Sequence, residues 1–361
     1  MRFRTLSICL ALSICLAMPS IAQDAAPWTL GDIKFSGLVD GYYSINTNHP
    51  ASGNNGLYNF NVKANQFSLN MAKLSLEHAA EPIGFRLDLG FGRTFDIVHQ
   101  FEPNDSSRIM RNIEQAYLSW KPEKAKGLQI DFGKFVTSAG AEVIETHANW
   151  NYSRSLLFAW AIPYYHFGLR ATQPWGKHFT GGFQLVNGWN NVEDTNSGKT
   201  IGVIGNFTTS KVSWLNNYYT GPEKFGTNQG FRNLYDTTVL LTPNGKVSAY
   251  FNFDYGRDNN IGAGYAEWIG WAVAVRGQVT TNSAVAIRGE WFNDKDGFNT
   301  GVAQAYKEIT TTYEYKWAKG LLSRLEYRRD WSDKKFFERG TNKLRGEQNT
   351  FTIGIVGYFG N

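Results

Sequence analysis

Apolar and polar residues alternate with a period of two in many segments of this chain, and this pattern constrains the fold more than any other feature. In one segment, Phe85, Leu87, Leu89 and Phe91 alternate with arginine, aspartate and glycine. Successive side chains of a β-strand point to opposite faces, so such a segment predicts a strand with one apolar and one polar face. We therefore predict an all-β protein.

The same alternation returns along the rest of the chain, and towards the C-terminus the polar face carries arginine and carboxylate side chains. No segment has the pattern of a long amphipathic helix, and no linker rich in proline, serine or charge divides the sequence. We expect a single domain over residues 23–361. The apolar positions of the further segments are Leu128, Ile130 and Phe132; Tyr165, Phe167, Leu169 and Ala171; Trp271, Val273 and Val275; Val285, Ile287 and Trp291; and Leu325 and Tyr327.

The connections between these segments alternate between short and long. Seven short ones contain turn-forming residues and lie at 81–84, 122–127, 174–177, 208–210, 242–245, 281–283 and 317–320. Eight longer stretches lie near 45–65, 93–112, 137–163, 187–199, 220–232, 256–264, 293–303 and 332–348. Fifteen connections join sixteen strands, and transmembrane barrels combine an even strand number with short periplasmic turns and long extracellular loops. We predict a transmembrane antiparallel β-barrel of about 16 strands.

The N-terminus has the features of a cleaved secretory signal peptide over residues 1–22. Arg2 and Arg4 precede an apolar stretch from about Leu6 to Met18, and the small-residue site Ser20-Ile21-Ala22 follows. The apolar stretch is too short for a spanning helix, which needs roughly 20 residues.

Removal of this segment would leave a mature chain with few options for chemistry. It would remove both cysteines, Cys9 and Cys15, and two arginines, which lowers the formal charge from +5 to +3. Disulfides, thiol catalysis and nucleic-acid binding are therefore not expected.

A secreted β-sandwich or propeller remains the alternative fold, because such proteins alternate in the same way and carry the same export signal. The asymmetry of loop lengths and the absence of a blade-length repeat favour the barrel. So do aromatic residues near predicted strand ends, which interfacial belts explain. They are Trp120, Trp175, Trp271, Trp291, Tyr315, Trp317 and Phe359.

One region gives more specific information than the alternation of apolar and polar residues. The runs GAEVIE at 140–145, NWNYSRS at 149–155 and PYYHFG at 163–168 resemble the outer-membrane beta-barrel porin-2, OmpL-like family. The resemblance runs from about Gly31 to the C-terminus and implies an outer-membrane channel in a Gram-negative bacterium rather than an enzyme. The chain departs from the usual barrel ending, because Gly360 and Asn361 follow Phe359.

The longest connection, 137–163, is the first candidate functional segment. It carries Glu142, Glu145, His147 and Arg154, followed by the apolar run 156–162. A loop of this length is usually functional or disordered, and this one is too apolar for simple disorder. Our hypothesis is that it folds into the lumen and narrows the pore; the alternative is a loop packed over the rim or against a neighbouring subunit.

Charged residues on the predicted polar faces form the second candidate set. Rings of charge set ion selectivity in a water-filled pore, whereas cross-strand ion pairs would instead stiffen the wall. Both signs occur in similar numbers, so the sequence leaves the ion preference open, with a weak anion bias from the arginine excess. The arginines are Arg86, Arg170, Arg276, Arg288, Arg324 and Arg328, and the carboxylates are Asp88, Asp131, Glu290, Glu314 and Glu326.

The expected function is passive diffusion of small polar solutes or ions through an outer-membrane porin, without a cofactor. A channel selective for a sugar or an anion is an alternative. The aromatic residues Trp150, Tyr152 and Trp160 are compatible with it. The other alternative is a non-transporting barrel or secreted sandwich used for binding or adhesion. The expected partners are outer-membrane lipid and the solutes or ions themselves, with a homotrimer by analogy to sixteen-stranded porins and no nucleic acid.

Catalysis and metal binding have weaker support. The six histidines are dispersed and form no catalytic or zinc-ligand spacing. Two acidic clusters, one at Asp254, Asp258, Asn259 and Asn260 and one at Asp294 and Asp296, have oxygen ligands that suit calcium. We expect them instead to be solvated loop tips.

Overall fold

A computed structural model describes residues 28–100, 102 and 109–360, and in it sixteen antiparallel strands form a closed barrel. The predicted signal peptide, residues 1–22, lies outside the described residues. The barrel strands are β1 (Ile33–Asn46), β2 (Gln66–His78), β3 (Ile83–Phe91), β4 (Ile113–Trp120), β5 (Gln129–Val136), β6 (Tyr165–Trp175), β7 (Phe179–Val186), β8 (Thr200–Thr208), β9 (Val212–Pro222), β10 (Phe231–Leu241), β11 (Val247–Asn260), β12 (Gly264–Gln278), β13 (Ser283–Asp294), β14 (Gln304–Ala318), β15 (Leu321–Ser332) and β16 (Glu347–Phe359).

Each strand pairs with its neighbours in sequence, and the first strand pairs with the last. The closing register between β1 and β16 runs from Asn46 opposite Thr350 to Gly37 opposite Phe359. A short strand, Trp28–Leu30, adds a further pairing to the start of β1. Since all sixteen strands have a partner on both sides, the backbone hydrogen bonds of the sheet are satisfied within the barrel. The predicted fold is confirmed.

The two faces of the strands separate as the alternation predicts. In β13, Ile287 is 49% exposed on the outside, whereas Arg288 and Glu290 on the inside are 0% and 4% exposed. The same division gives the whole barrel an apolar outer surface and a polar inner wall. This arrangement suits a protein whose outer surface is covered by lipid.

Six of the eight predicted long loops and all seven predicted turns join the strands where we expect them, within a few residues. The exceptions are both near the long-loop rim of β9–β12. The stretch 220–232 is partly strand, since only 223–230 is loop, and the stretch 256–264 is almost entirely strand, because β11 and β12 are joined by residues 261–263 alone. Gly262 and Gly264 have φ of +80° and +86°, so a tight turn is formed there. The prediction of a long loop at 256–264 is wrong, because polar residues in this stretch continue the inward face of the strand.

Three loops carry structure of their own. The 92–112 loop contains the helix α1 (Arg93–Val98), and the 137–164 loop contains the helix α2 (Leu156–Trp160). The 333–346 loop forms a small hairpin between Phe337–Arg339 and Lys343–Arg345. In the described residues, no helix is long and apolar enough to cross a membrane.

The aromatic residues are distributed unevenly over the outer surface. Trp120, Trp175 and Trp317 are 50%, 59% and 65% exposed at the short-turn ends of their strands, as expected for an interfacial belt. Trp271 and Trp291 instead lie opposite each other on β12 and β13. Trp271 is in the middle of its strand and not near an end, because β12 extends to Gly264.

Candidate functional site

The β5–β6 loop, residues 137–164, lies inside the barrel. Its backbone and side chains contact inward-facing side chains of β1, β2, β9, β10 and β12–β15, and most of its residues are buried. The loop is therefore held from nearly all sides of the wall, and it forms the candidate functional site together with the side chains that hold it.

The loop is organised internally by two polar side chains. The side chain of Asn149 accepts a hydrogen bond from the backbone N–H of Val143 (2.9 Å) and donates to the carbonyl oxygens of Val143 (2.8 Å) and Glu145 (3.0 Å). The Arg154 guanidinium donates to the carbonyl oxygens of Val143 (3.0 Å), Tyr152 (2.6 Å) and Ile144. A single loop conformation results, because these bonds satisfy backbone groups that have no strand or helix partner.

Three arginines of the wall fasten the loop to β13 and β15. Arg288 donates to Glu142 Oε1 (2.6 Å) and to the carbonyl oxygen of Ser153 (2.9 Å). Arg324 donates to the carbonyl oxygens of Thr146 (2.6 Å) and Asn151 (3.1 Å). Arg328 donates to the carbonyl oxygen of Arg154 (2.7 Å).

Carboxylates on the same part of the wall accept from the loop. Glu326 accepts from the backbone N–H groups of Tyr152 and Ser153, the latter at 2.9 Å. Glu290 accepts from the backbone N–H of Leu157 at 3.2 Å, at the start of α2. The wall of β13–β15 thus provides both hydrogen-bond donors and hydrogen-bond acceptors to the loop. The contact therefore depends on the positions of these groups and not on charge attraction alone.

On the neighbouring part of the wall, β1 and β2 provide a second set of contacts. The Tyr152 hydroxyl donates to Asp40 Oδ1 at 2.6 Å, and Thr146 also donates to this carboxylate. Lys73 forms ion pairs with Glu145 of the loop, with Asp88 (3.0 Å) and with Glu114 (2.6 Å).

The apolar half of the loop forms the core inside the barrel. Leu156, Leu157 and Phe158 are at most 2% exposed and pack in one cluster with Trp268 and Phe292 of the wall. The Ser155 side chain caps α2 by accepting from the backbone N–H of Phe158. The apolar run that made disorder improbable is therefore buried against the wall.

Two glycines of the wall make room for this packing. An added Cβ at Gly354 would lie 2.1 Å from the ring of Tyr152, and one at Gly270 would lie 2.5 Å from Leu157. Real Cβ atoms do not approach that closely, so any larger residue at either position would displace the loop.

The structure brings most of the predicted site residues together around the β5–β6 loop. Arg288, Arg324 and Arg328 are at most 1% exposed, Glu142 and Glu290 are 4% exposed, and Arg154 is 3% exposed. Arg288 also pairs with Glu290 (2.8 Å) and Glu308 (2.9 Å), Arg324 with Glu314 (2.7 Å), and Arg328 with Asp330 (2.7 Å) and Glu308 (3.3 Å).

His147 and Glu145 lie at the lower end of the loop, towards the short turns. The His147 ring stacks on Tyr358 of β16 with ring centres 4.8 Å apart. Burial lowers the pKa of His147 to about 4, so this side chain is neutral at pH 7. Burial and the Lys73 ammonium act in opposite senses on Glu145, and the net effect lowers the pKa of this carboxyl.

Of the remaining three predicted arginines, Arg86 shares Asp88 with Lys73, and Arg276 shares Glu314 with Arg324. Arg170 pairs with Asp131 at 2.8 Å and its guanidinium lies over the ring of Phe135 (4.4 Å), with both charged side chains nearly buried. Arg86 pairs with Glu77 and Asp88, and Arg276 pairs with Glu314. The side chains of Arg86 and Arg276 keep 15% and 14% of their area exposed and lie towards the short-turn ends of β3 and β12.

Three aromatic residues supported the alternative of a substrate-selective channel. Each of them has a different set of partners, so they do not form a continuous aromatic track. Trp150 packs on Tyr250 with ring centres 5.1 Å apart. Tyr152 is fully buried beside Asp40, and Trp160 donates its indole N–H to the carbonyl oxygen of Leu57 (3.0 Å).

Sequence reasoning missed several wall residues, most of all Asp40, Lys73, Glu114, Asp236 and Glu308. Asp236 accepts from the backbone N–H of Gly140 at 3.0 Å. The alternation of apolar and polar residues could have identified four of these residues as inward-facing: Asp40, Lys73, Asp236 and Glu308. Glu114 had no such signal, because the register between β3 and β4 shifts beside it.

Three aspartates of the acidic clusters considered for calcium are not solvated loop tips. Asp254, Asp258 and Asp294 are 0% exposed. Asp258 pairs with Lys224 and with Arg232 (2.8 Å), and Asp294 accepts from backbone N–H groups in the middle of the 295–303 loop. The prediction is wrong for these three residues, because they belong to strands whose inward face continues to the rim. Asp296 is exposed in the 295–303 loop, as expected.

One other acidic group has the spacing of a metal site. Carboxylate oxygens of Asp88, Glu114 and Glu145 all lie within 4.8 Å of one another. The Lys73 ammonium pairs with all three, however. A protein cation thus already lies among these carboxylates.

Comparison with known proteins agrees with this architecture. The chain is similar to an anion-selective porin from Comamonas acidovorans, with 10% identity, a TM-score of 0.63, and coverage of 91% of this chain and 99% of that one. It is similar to outer-membrane expressed OmpT of Vibrio cholerae, with 11% identity, a TM-score of 0.61, and coverage of 92% and 100%. Salmonella typhi OmpF in complex with daunomycin has 13% identity, a TM-score of 0.59, and coverage of 92% and 99%. At these identities the likeness shows the fold alone.

No curated protein matches the sequence. The model of the beta-barrel porin-2, OmpL-like family matches residues 32–359, nearly the whole described barrel. Family and fold together imply a porin-type channel of the Gram-negative outer membrane. The chain belongs to the beta-barrel porin-2, OmpL-like family.

Proposed function

We propose that the protein is a channel for passive diffusion of small polar solutes or ions, and that the β5–β6 loop forms its constriction. The observation that carries this proposal is the attachment of the loop to widely separated parts of the wall. Arg288, Arg324 and Arg328 bind it on β13 and β15, and Asp40 and Lys73 bind it on the nearby strands β1 and β2. Asp236 binds it on β10, which lies across the barrel from β2.

The same observation indicates a narrow channel. At the level of the loop the inward-facing arginines of β13 and β15 are almost fully buried. We therefore expect a conductance well below that of an unobstructed sixteen-stranded barrel, since the loop occupies much of the lumen.

Ion selectivity depends on the charged side chains that are exposed to the lumen, because only these interact with a passing solute. Of the six predicted lumenal arginines, Arg86 and Arg276 keep the most exposed side chains, and both are paired with carboxylates. Paired charges have weak external fields, so the preference should be weak. We propose that its sign favours anions, because six arginines face five carboxylates among the predicted lumenal residues. The similar porin from Comamonas acidovorans is anion-selective, which is consistent with this sign.

A homotrimer is proposed for the assembled state. One similar structure, OmpT of Vibrio cholerae, is described in a trimer form. Cross-linking of the protein in outer membranes tests this proposal, because a monomer at all cross-linker concentrations would contradict it.

The test of the proposed function is conductance in planar bilayers. Purified, heat-modifiable protein is expected to give discrete conductance steps, with a reversal potential in a salt gradient of the sign for anions. Deletion of residues 142–154 is expected to enlarge the steps, because it removes the part of the loop that the three arginines hold. Deletion of residues 226–229 on the same rim, three of which are exposed, is the control and should leave the steps unchanged.

Two outcomes contradict the proposal. A folded wild-type barrel without conductance would exclude a channel. Equal conductance of the wild type and the 142–154 deletion would exclude the loop as the constriction.

A further inference from the structure

The short turns of the barrel have an unusual charge. The seven turns, at 79–82, 121–128, 176–178, 209–211, 242–246, 279–282 and 319–320, contain seven lysines against two glutamates and no arginine or aspartate. We call the seven lysines the lysine ring. They are Lys121, Lys124, Lys126, Lys177, Lys211, Lys246 and Lys319.

These ammonium groups are available to a ligand. Six of the seven residues are exposed, and Lys121 is half-buried. None of the seven forms an ion pair with a carboxylate among the residues that the structure describes. Unpaired cations at this density repel one another, so an anionic partner would relieve the repulsion.

The long-loop rim differs, because its loops carry charged residues of both signs and some of its lysines are paired. Lys199 pairs with Asp194, Lys295 with Glu267 (3.1 Å) and Lys307 with Asp333 (2.6 Å). The two rims of the barrel therefore differ in their balance of charge, because the charged residues of the short turns are mostly lysines and the long loops contain both signs.

The distribution of the lysines identifies the shape of the partner. They lie in five of the seven turns, from the β4–β5 turn to the β14–β15 turn, and so are spread around most of the circumference. A folded protein partner would contact one sector of the rim. A lipid headgroup layer contacts the whole circumference at one depth.

The depth of the ring agrees with a headgroup layer. Trp120, Trp175 and Trp317, all at least half-exposed, lie within a few residues of Lys121, Lys177 and Lys319. Exposed tryptophans mark the boundary between the hydrocarbon and the headgroups. The ammonium groups beside them are therefore at the level of lipid phosphates.

We propose that the lysine ring binds the phosphate groups of anionic phospholipids in the leaflet at the short-turn rim, which is the periplasmic side by the general rule for such barrels. Basic residues near a membrane surface are attracted to anionic lipid, and the attraction is screened by salt. The inference requires insertion of the barrel in a membrane but does not require that it conducts.

The test measures which lipids surround the barrel. The full protein is reconstituted in vesicles in which either phosphatidylglycerol or phosphatidylcholine carries brominated chains, and quenching of tryptophan fluorescence gives the relative binding constant of the two lipids. The wild type is expected to prefer phosphatidylglycerol about two- to fivefold at low salt, and the preference should approach one in high salt.

Two variants with the same change in charge locate the effect. Replacing all seven ring lysines by glutamine should abolish the preference. Replacing seven lysines of the long-loop rim by glutamine should leave most of it. The control residues are Lys63, Lys199, Lys295, Lys307, Lys334, Lys335 and Lys343. Should the sevenfold ring variant fail to fold, K121Q/K124Q/K126Q in one turn is expected to lower the preference measurably.

The proposal is overturned if the wild type shows no preference, if the folded ring variant keeps it, or if both sevenfold variants lose it equally. Absence of conductance with a retained lipid preference would refute the proposed channel and leave the lysine ring intact.

Discussion

Replacement of Arg288 by methionine is the perturbation whose effect the structure determines best. The Arg288 guanidinium contacts Glu142 (2.6 Å), Glu290 (2.8 Å) and Glu308 (2.9 Å), and all four side chains are at most 3% exposed. Methionine fills a similar volume but has no charge. The substitution would therefore leave three buried carboxylates with one fewer cation and would remove two hydrogen bonds from β13 to the β5–β6 loop.

The magnitude follows from the burial of the group. Removing one partner of a buried ion pair costs about 3–5 kcal/mol, because the remaining charge is buried without compensation. Part of that cost is recovered if Glu142 is replaced as well. The double variant R288M/E142Q should thus be less destabilised than the sum of the two single variants, by about 1.5 kcal/mol or more.

The assay combines stability with function. Urea unfolding of the purified barrel, followed by loss of heat-modifiable migration, gives the stabilities for the cycle, and planar bilayers give the conductance. R288M is expected to show larger and noisier conductance steps, since the loop loses two hydrogen bonds to β13.

R329M is the matched control for this experiment. Arg329 lies on β15 and pairs with Glu347 at 2.6 Å, the same distance as the Arg288–Glu142 pair, but both side chains are about half-exposed. Surface pairs of this kind contribute about 0–1 kcal/mol. The reasoning is refuted if folded R288M conducts like the wild type, or if R329M perturbs stability and conductance as much as R288M does.

Three further predictions test separate contacts of the loop. G354A should destabilise the barrel by about 1–3 kcal/mol and enlarge the conductance steps, because the new Cβ would lie 2.1 Å from the Tyr152 ring; G357A, with open space around it, is the control in the same unfolding and bilayer measurements. K73M should lower the urea midpoint of unfolding by an amount equivalent to about 3–5 kcal/mol, since three carboxylates lose their shared cation; an unchanged midpoint would contradict this role. Because burial lowers the pKa of His147 from 6.5 to about 4, the unfolded chain binds a proton that the folded chain does not as pH falls through this range. Stability is therefore lost between about pH 6.5 and 4, and H147Q should lose less than the wild type when unfolding midpoints at pH 7 and 5 are compared.

The strands and turns were predictable because their signals are local. Alternation places Arg288 and Glu290 on one face within three residues, and turns such as 242–245 carry Pro, Asn and Gly in sequence. The same local rule failed at 256–264. Polar residues there resemble a loop in isolation, but Asp258 pairs with Lys224 of the β9–β10 loop and with Arg232 of the neighbouring strand β10.

The candidate site was predictable only in its parts. The sequence identified the 137–163 segment and the arginines of the wall separately. Their pairing joins residues far apart, as with Glu142 and Arg288, which are 146 positions apart. Such contacts depend on the closure of the barrel and on the path of the loop inside it, and neither has a local signal.

These contacts change the meaning of the arginines themselves. On the sequence alone, a row of inward arginines on β13 and β15 has two interpretations, a charge filter or a stiffened wall. In the structure, Arg288, Arg324 and Arg328 each donate to a backbone carbonyl of the β5–β6 loop as well as to wall carboxylates. A buried guanidinium with both kinds of partner cannot meet a passing ion unless the loop moves away. Loop position and lumen charge are therefore coupled, since any displacement that widens the lumen also exposes these cations to the solution.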